Sequence, residues 1–124
     1  MAGKVVHFEI PFDDGDRARE FYAAAFGWQS LAMPEMDYTM VTTGPTTEEG
    51  LSEPGFINGG MYPRRDGFTA PNVVIDVADI EAALRAVEQA GGSTVTERTA
   101  VGDMGFTAYV KDTEGNLVGL WQNA

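Results

Sequence analysis

The feature that most constrains this sequence is an order of strand-forming and helix-forming segments that occurs twice along its 124 residues. In the first half, a strand-like segment leads to Asp14, a residue type that caps helix N-termini, and the second half repeats this order around Asp79. His7 and Asn72 each lie seven residues before these caps. Because one copy cannot close its sheet alone, the two copies are expected to pair within a single domain, residues 1–124.

Hydrophobic periodicity predicts the same five elements in both copies. The first copy, about residues 4–64, is predicted to contain a strand, a helix and three strands at Val5–Pro11, Asp16–Phe26, Trp28–Ala32, Tyr38–Thr43 and Phe56–Tyr62. The second copy, about residues 70–124, repeats them at Asn72–Val77, Ile80–Ala90, Thr94–Arg98, Phe106–Lys111 and Leu117–Gln122. The predicted fold class is therefore α+β, with two tandem βαβββ repeats.

Three details complete the prediction of secondary structure. Glycines end the helices, at Gly27 and at Gly91–Gly92. The acidic segment Gly44–Gly55 is predicted to be a mobile loop. The first helix is expected to turn its periodic apolar residues towards the sheet, namely Ala18, Phe21, Tyr22 and Ala25.

The charge and composition exclude several classes of partner. Nineteen acidic and eight basic residues give a net charge of −11, which repels nucleic acid and anionic membranes. No apolar run is long enough to span a membrane, and no signal peptide precedes the first strand. We therefore expect a cytoplasmic protein. The chain has no cysteine, so thiolate metal sites, disulfides and thiol nucleophiles are excluded.

Motifs at both ends of the chain resemble one protein family. The segments that carry the resemblance are His7–Pro11, Arg17–Ala18, Phe26–Trp28, Lys111–Asn116 and Gly119–Leu120. Together they resemble the vicinal oxygen chelate proteins, the superfamily of glyoxalases, bleomycin-resistance proteins and extradiol dioxygenases. The resemblance implies curved half-barrel sheets with the helices outside, a cavity for a small molecule, and a homodimer.

The resemblance also implies where a metal would bind. Metal enzymes of this superfamily place ligands on the first and last strand of each repeat, and these positions here are His7, Gly60, Asn72 and Gly119. Glycine has no donor atom, and one imidazole with one amide is a poor set for a divalent ion. We therefore expect no metal and no other cofactor. The alternative is a displaced metal site formed by His7, Glu9 and Asp76.

The alternation of side chains along strands identifies a candidate ligand-binding face. The predicted ligand-binding residues are His7, Glu9, Asn58, Tyr62, Asn72, Asp76 and Trp121. Tyr62 and Trp121 occupy equivalent positions in the two repeats, which would suit a planar and preferably cationic ligand. His7 is the only histidine, so His7 and Glu9 are the candidates for proton transfer. The alternative is that these side chains have structural roles only.

Three functions are compatible with the sequence. The first is a metal-independent protein that binds or sequesters a small molecule, as the bleomycin-resistance branch of the superfamily does. The second is a lyase or isomerase of the glyoxalase type, with proton transfer by His7 and Glu9. The third is a non-catalytic module that binds another protein.

Overall fold

The computed structural model describes residues 2–124 and divides into two compact units. The first unit is His7–Pro71, and the second comprises Asn72–Ala124 together with the residues up to Val6. The first half of the chain contains β1 (Val5–Phe12), α1 (Gly15–Phe26), β2 (Gln29–Met33), β3 (Tyr38–Thr42), β4 (Thr46–Thr47), β5 (Gly50–Leu51) and β6 (Gly59–Pro63). A short 3₁₀ helix, Pro34–Met36, lies between β2 and β3.

The second half contains β7 (Asn72–Asp76), α2 (Ile80–Gln89), β8 (Ser93–Val101), β9 (Gly105–Lys111) and β10 (Leu117–Asn123). With the small β4–β5 pair set aside, both halves have the order βαβββ. The predicted α+β fold class and the predicted repeat are therefore confirmed. Some boundaries differ, since β6 begins at Gly59 rather than Phe56 and β8 continues to Val101.

The two units have the same strand order and the same strand directions. The strands are ordered β2-β3-β6-β1 in the first unit and β8-β9-β10-β7 in the second. In each, the first and last strands of the repeat are parallel and the other pairs are antiparallel. Glu9 is opposite Gly60, and Val74 is opposite Gly119. The register therefore confirms the alignment of the two repeats that the caps suggested.

The predicted helix ends are present in the structure. The Asp14 side chain accepts a hydrogen bond from the Arg17 N–H at 3.1 Å, and Asp79 accepts one from the Glu81 N–H at 3.0 Å. Gly27 ends α1 with a left-handed φ of 73°, a conformation that glycine adopts without steric cost. These local signals position each helix after the first strand of its repeat.

The two helices differ in how much they bury. In α2, Ile80 and Leu84 are buried in an apolar cluster with Ala108, Val110 and Leu120. In α1, whose residues the structure describes completely, none is buried. The expectation that Phe21 and Ala25 face the sheet is therefore wrong, since both are exposed.

The exposure of the α1 aromatic residues has a physical reason. Tyr22 stacks on Trp28 with 4.7 Å between ring centroids, and Phe21 contacts the edge of Tyr22 at 5.1 Å. The aromatic side chains at this end of α1 thus contact one another instead of inserting into the sheet. Phe21 remains 56% exposed and Phe26 65% exposed.

The segment Gly44–Gly55 contains more structure than a loop. Thr46 is opposite Leu51 and Thr47 is opposite Gly50 in the β4–β5 hairpin. Asn58 supports the hairpin, because its Oδ1 accepts from the Thr43 N–H and its Nδ2 donates to Thr46 Oγ1, both at 2.9 Å. Among the described residues, no helix has the length and apolar character needed to cross a membrane.

Candidate functional site

The candidate site lies on the face of the first unit's sheet that is opposite α1. Arg19 in α1 donates a hydrogen bond to Thr39 Oγ1 at 3.1 Å. Phe8 contacts Trp28, the second residue after α1, with 5.4 Å between the ring centroids. Phe8 and Thr39 therefore lie on the α1 side. Because side chains alternate along a strand, their neighbours His7, Glu9 and Tyr38 lie on the other side.

A hydrogen-bonded chain of three side chains connects β1 and β3 on this face. The Tyr38 hydroxyl lies 2.8 Å from His7 Nε2 and donates to Glu9 Oε2, also at 2.8 Å. Glu9 is buried, with 4% of its surface exposed, whereas His7 and Tyr38 are half-buried. The sheet thus holds a carboxylate, a phenol and an imidazole in one continuous chain.

Gly60 makes this chain sterically allowed. It lies in β6, between β3 and β1, and its backbone is opposite both Met40 and Glu9. A Cβ atom at position 60 would overlap the Tyr38 hydroxyl and ring. The Tyr38 side chain therefore crosses β6 at the one residue type that leaves room for it.

Tyr62 lies on the same face of β6, two residues after Gly60. It is buried, with 4% exposure, and its hydroxyl forms no hydrogen bond with any of the described residues. Its ring contacts Phe68 edge-on at 5.8 Å, and the Arg65 guanidinium lies 4.0 Å from the Phe68 ring centroid. Burial, reinforced by the negative charge of Glu9, raises the pKa of Tyr62 to about 12, so the phenol stays neutral.

Burial also determines the charge of His7. Desolvation lowers the pKa of the imidazole below its ordinary value of 6.5, because the charged form loses more hydration than the neutral form. At neutral pH the His7 ring is therefore uncharged. It can accept a proton or a hydrogen bond, but it supplies no positive charge to the site.

The other predicted site residues are Asn58 and three residues of the second unit. The Asn58 side chain is used in the hairpin contacts described above. Three of the predicted residues are in the second unit, where Asn72 is buried and Asp76 and Trp121 are half-buried. The Trp121 indole N–H donates to Asn123 Oδ1 at 2.9 Å, and its ring covers Gly105.

The structure thus connects His7 and Glu9 by hydrogen bonds through Tyr38, within the first unit. It also places Tyr62 close enough to Glu9 for the carboxylate charge to raise the Tyr62 pKa. The central residue of the chain, Tyr38, was missed by the sequence analysis. The sequence did contain a signal for Tyr38. This residue lies on the same face of β3 as Met40, and Met40 is opposite Gly60, which leaves space for a neighbouring side chain.

Comparisons with known proteins agree with this architecture. Residues 4–44 match the family described as bleomycin resistance protein-like N-terminal. A candidate glyoxylase of Mycobacterium tuberculosis, CFP32, is 29% identical over an alignment of 119 positions that covers 92% of this chain and 43% of that protein. The chain therefore spans less than half the length of this curated relative.

Solved structures show the same fold. A variant of methylmalonyl-CoA epimerase from Streptomyces coelicolor, in complex with 2-nitronate-propionyl-CoA, superposes with a TM-score of 0.69 at 19% identity, covering 100% of this chain and 99% of that one. A glyoxalase/bleomycin resistance protein/dioxygenase superfamily member from Vibrio splendidus 12B01 gives 0.63 at 16% identity, with 99% and 100% covered. The resemblance to the vicinal oxygen chelate superfamily is thus confirmed, and the chain has the glyoxalase and bleomycin-resistance fold.

Proposed function

We propose that this protein binds a small molecule on the His7, Glu9 and Tyr62 face, without a protein-held metal. The observation that carries the proposal is the Tyr62 hydroxyl, which is buried and makes no hydrogen bond with the described residues. Such a group normally costs about 1–3 kcal/mol, so a ligand that pairs with it gains that contact at a site already desolvated.

The Glu9 carboxyl group and the net charge of the chain favour a cationic ligand, although the Arg65 guanidinium lies 5.8 Å from the Tyr62 ring centroid. Glu9 is a buried carboxyl group on this face, and the half-buried rings of His7 and Tyr38 offer an aromatic surface beside it. Aromatic rings attract cations by about 0.5–2 kcal/mol, and the net charge of −11 attracts cations from solution. A planar cation therefore fits the proposal better than a planar anion.

The donor set of the first unit supports binding without a metal. Gly60 has no side chain with which to coordinate a metal, and any side chain at this position would displace Tyr38. The same Tyr38 hydroxyl already bridges His7 Nε2 and Glu9 Oε2. The residues of this unit therefore do not fit the ligand arrangement that the superfamily's metal enzymes use, and Tyr38 stands where such a ligand would extend.

Calorimetric titration with a planar cation, 9-aminoacridine, tests the proposal, with a planar anion of similar size, 9-anthracenecarboxylate, as the matched control. At about 0.15 M salt, which screens non-specific attraction, we expect saturable binding of the cation alone. Tyr62→Phe and Glu9→Gln should each weaken it, because one removes the buried hydroxyl and the other removes the negative charge. Equal binding of cation and anion, or no saturable binding, would contradict the proposal.

A second candidate function is proton transfer, as in an isomerase or lyase. The observation that favours it is the His7–Tyr38–Glu9 chain, in which a neutral imidazole is hydrogen-bonded to a phenol and a buried carboxyl group. Methylmalonyl-CoA, the substrate of the epimerase that shares the fold, is a rational first compound. Deuterium incorporation at its C2 in D₂O, absent in His7→Ala, would support this function, and its absence in the wild type would leave the binding proposal preferred.

A further inference from the structure

We infer that Tyr38 is a positioning residue that fixes the ring proton of His7 on Nε2 and thereby presents the Nδ1 lone pair to a ligand's N–H or O–H group. The part that concerns the ligand rests on the proposed function. The part that concerns the His7 tautomer rests on the hydrogen-bonded chain alone.

The direction of each hydrogen bond follows from counting protons. A phenol has one hydrogen, and Tyr38 donates it to Glu9 Oε2. Its oxygen can then only accept in its contact with His7 Nε2, so that nitrogen carries the proton. A neutral imidazole has one N–H, and therefore Nδ1 holds the lone pair.

The surroundings make this arrangement the favoured one. Glu9 is almost fully buried, and a buried carboxylate is stabilised by the proton donors it retains. Reversing the chain would require Glu9 to carry the proton and Tyr38 to donate to His7. Gly60 leaves room for the Tyr38 ring against β6, because a side chain there would occupy the same space.

Within the hydrogen-bonded chain of His7, Tyr38 and Glu9, the His7 Nδ1 atom is available to a ligand. Across residues 2–124, the only hydrogen bond of the His7 ring is the one with Tyr38, and the ring is half-buried rather than enclosed. On the same face, the neutral Tyr62 hydroxyl can donate one hydrogen bond. The site therefore recognises a molecule that carries a hydrogen-bond donor, with an acceptor where Tyr62 can reach it.

Nitrogen-15 NMR tests the tautomer directly, because His7 is the only histidine of the chain. A long-range proton–nitrogen spectrum of the ¹⁵N-labelled protein at about pH 8, above the ordinary histidine pKa, shows two ring nitrogens only. We expect a pyrrole-like Nε2 and a pyridine-like Nδ1 in the wild type. A pyridine-like Nε2 would overturn the inference, and this measurement needs no variant and no ligand.

Variants identify the group that sets the tautomer. Tyr38→Phe should move both ring nitrogens towards averaged values, because the acceptor for the Nε2 proton is lost. Tyr22→Phe removes a hydroxyl from α1 instead and should leave the His7 spectrum unchanged. A Tyr38→Phe protein with the wild-type pattern, and an amide spectrum showing that it is folded, would assign the tautomer to another group.

A pair of probes tests the ligand part separately. Phenol can donate a hydrogen bond and anisole cannot, although the two have similar shapes. We expect phenol to bind roughly tenfold more tightly, the effect of one net hydrogen bond, and to shift the Nδ1 resonance. Equal affinities, or no binding of either at millimolar concentration, would refute the ligand class while leaving the tautomer result standing. A failure of the 9-aminoacridine titration would affect only the proposed cationic ligand.

Discussion

Replacing Tyr62 by phenylalanine should make the protein more stable. The Tyr62 hydroxyl is buried and has no hydrogen-bond partner in the described chain, so the folded state bears its desolvation cost. Phenylalanine keeps the ring and its edge-on contact with Phe68. We expect the free energy of unfolding at pH 8 to rise by about 1 kcal/mol, at the lower end of the cost of an unsatisfied buried group.

The same substitution should change how stability depends on alkaline pH. Tyrosine ionises near pH 10 in the unfolded chain, and burial raises the pKa of Tyr62 to about 12 in the folded state. Between these values the unfolded state releases its proton first, so the wild type loses stability as pH rises. Two pKa units correspond to about 2.7 kcal/mol, and the advantage of Tyr62→Phe should grow by up to that amount.

Urea denaturation followed by circular dichroism at about pH 8, 10 and 11.5 measures both effects. Tyr22→Phe is the matched control, because Tyr22 is a half-buried tyrosine of α1 that stacks on Trp28. Each variant lacks one phenol, and all other titratable groups are common to the three proteins, so their contributions largely cancel in the differences. A Tyr62→Phe protein less stable than the wild type at pH 8 would show that the hydroxyl has a partner. A difference that stays constant up to pH 11.5 would refute the raised pKa.

Three further outcomes are expected. Gly60→Ala should lower the free energy of unfolding by about 1–3 kcal/mol, because the added Cβ displaces Tyr38, and the loss should be smaller in a Tyr38→Ala background. Urea denaturation of the four proteins of this double-mutant cycle checks the prediction, and additive losses would contradict it. Acidification from about pH 7 to 5 should destabilise the wild type more than His7→Gln, because burial lowers the folded-state pKa of His7 and the unfolded state therefore takes up the proton first. Urea midpoints that fall equally in the two proteins over this pH range would argue against the prediction. The protein should form a homodimer, with a mass by light scattering of about twice 13.3 kDa, and a monomeric wild type would refute this prediction. Phe26→Ser should weaken the dimer, because Phe26 is 65% exposed in the single chain.

The repeat could be predicted because its signals are local. Asp14 and Asp79 cap their helices through bonds to residues two or three positions away, and Gly27 ends α1 through its own backbone angles. Alternation along β1 then places His7 and Glu9 on one face without any knowledge of the partner strands. These predictions depend on short stretches of sequence, and the structure retains them.

The candidate site could be predicted only in part, because its centre depends on contacts between strands. Tyr38 meets His7 and Glu9 across β6, and that meeting requires the register that places Gly60 beside Glu9. Strand alternation alone does not supply this register. The exposure of Phe21 was missed for a related reason, since helical periodicity identifies an apolar face but does not say what covers it.

The absence of any buried side chain in α1 has a consequence for how the molecule moves. Local opening of a helix costs little when few apolar contacts break, whereas α2 must expose Ile80 and Leu84 before its backbone can exchange. The amides of α1 should therefore exchange with deuterium well before those of α2. The hydrogen bond from Arg19 to Thr39, a contact between α1 and β3, would break in such openings. The strand that carries Tyr38 is thus backed by the more labile of the two helices.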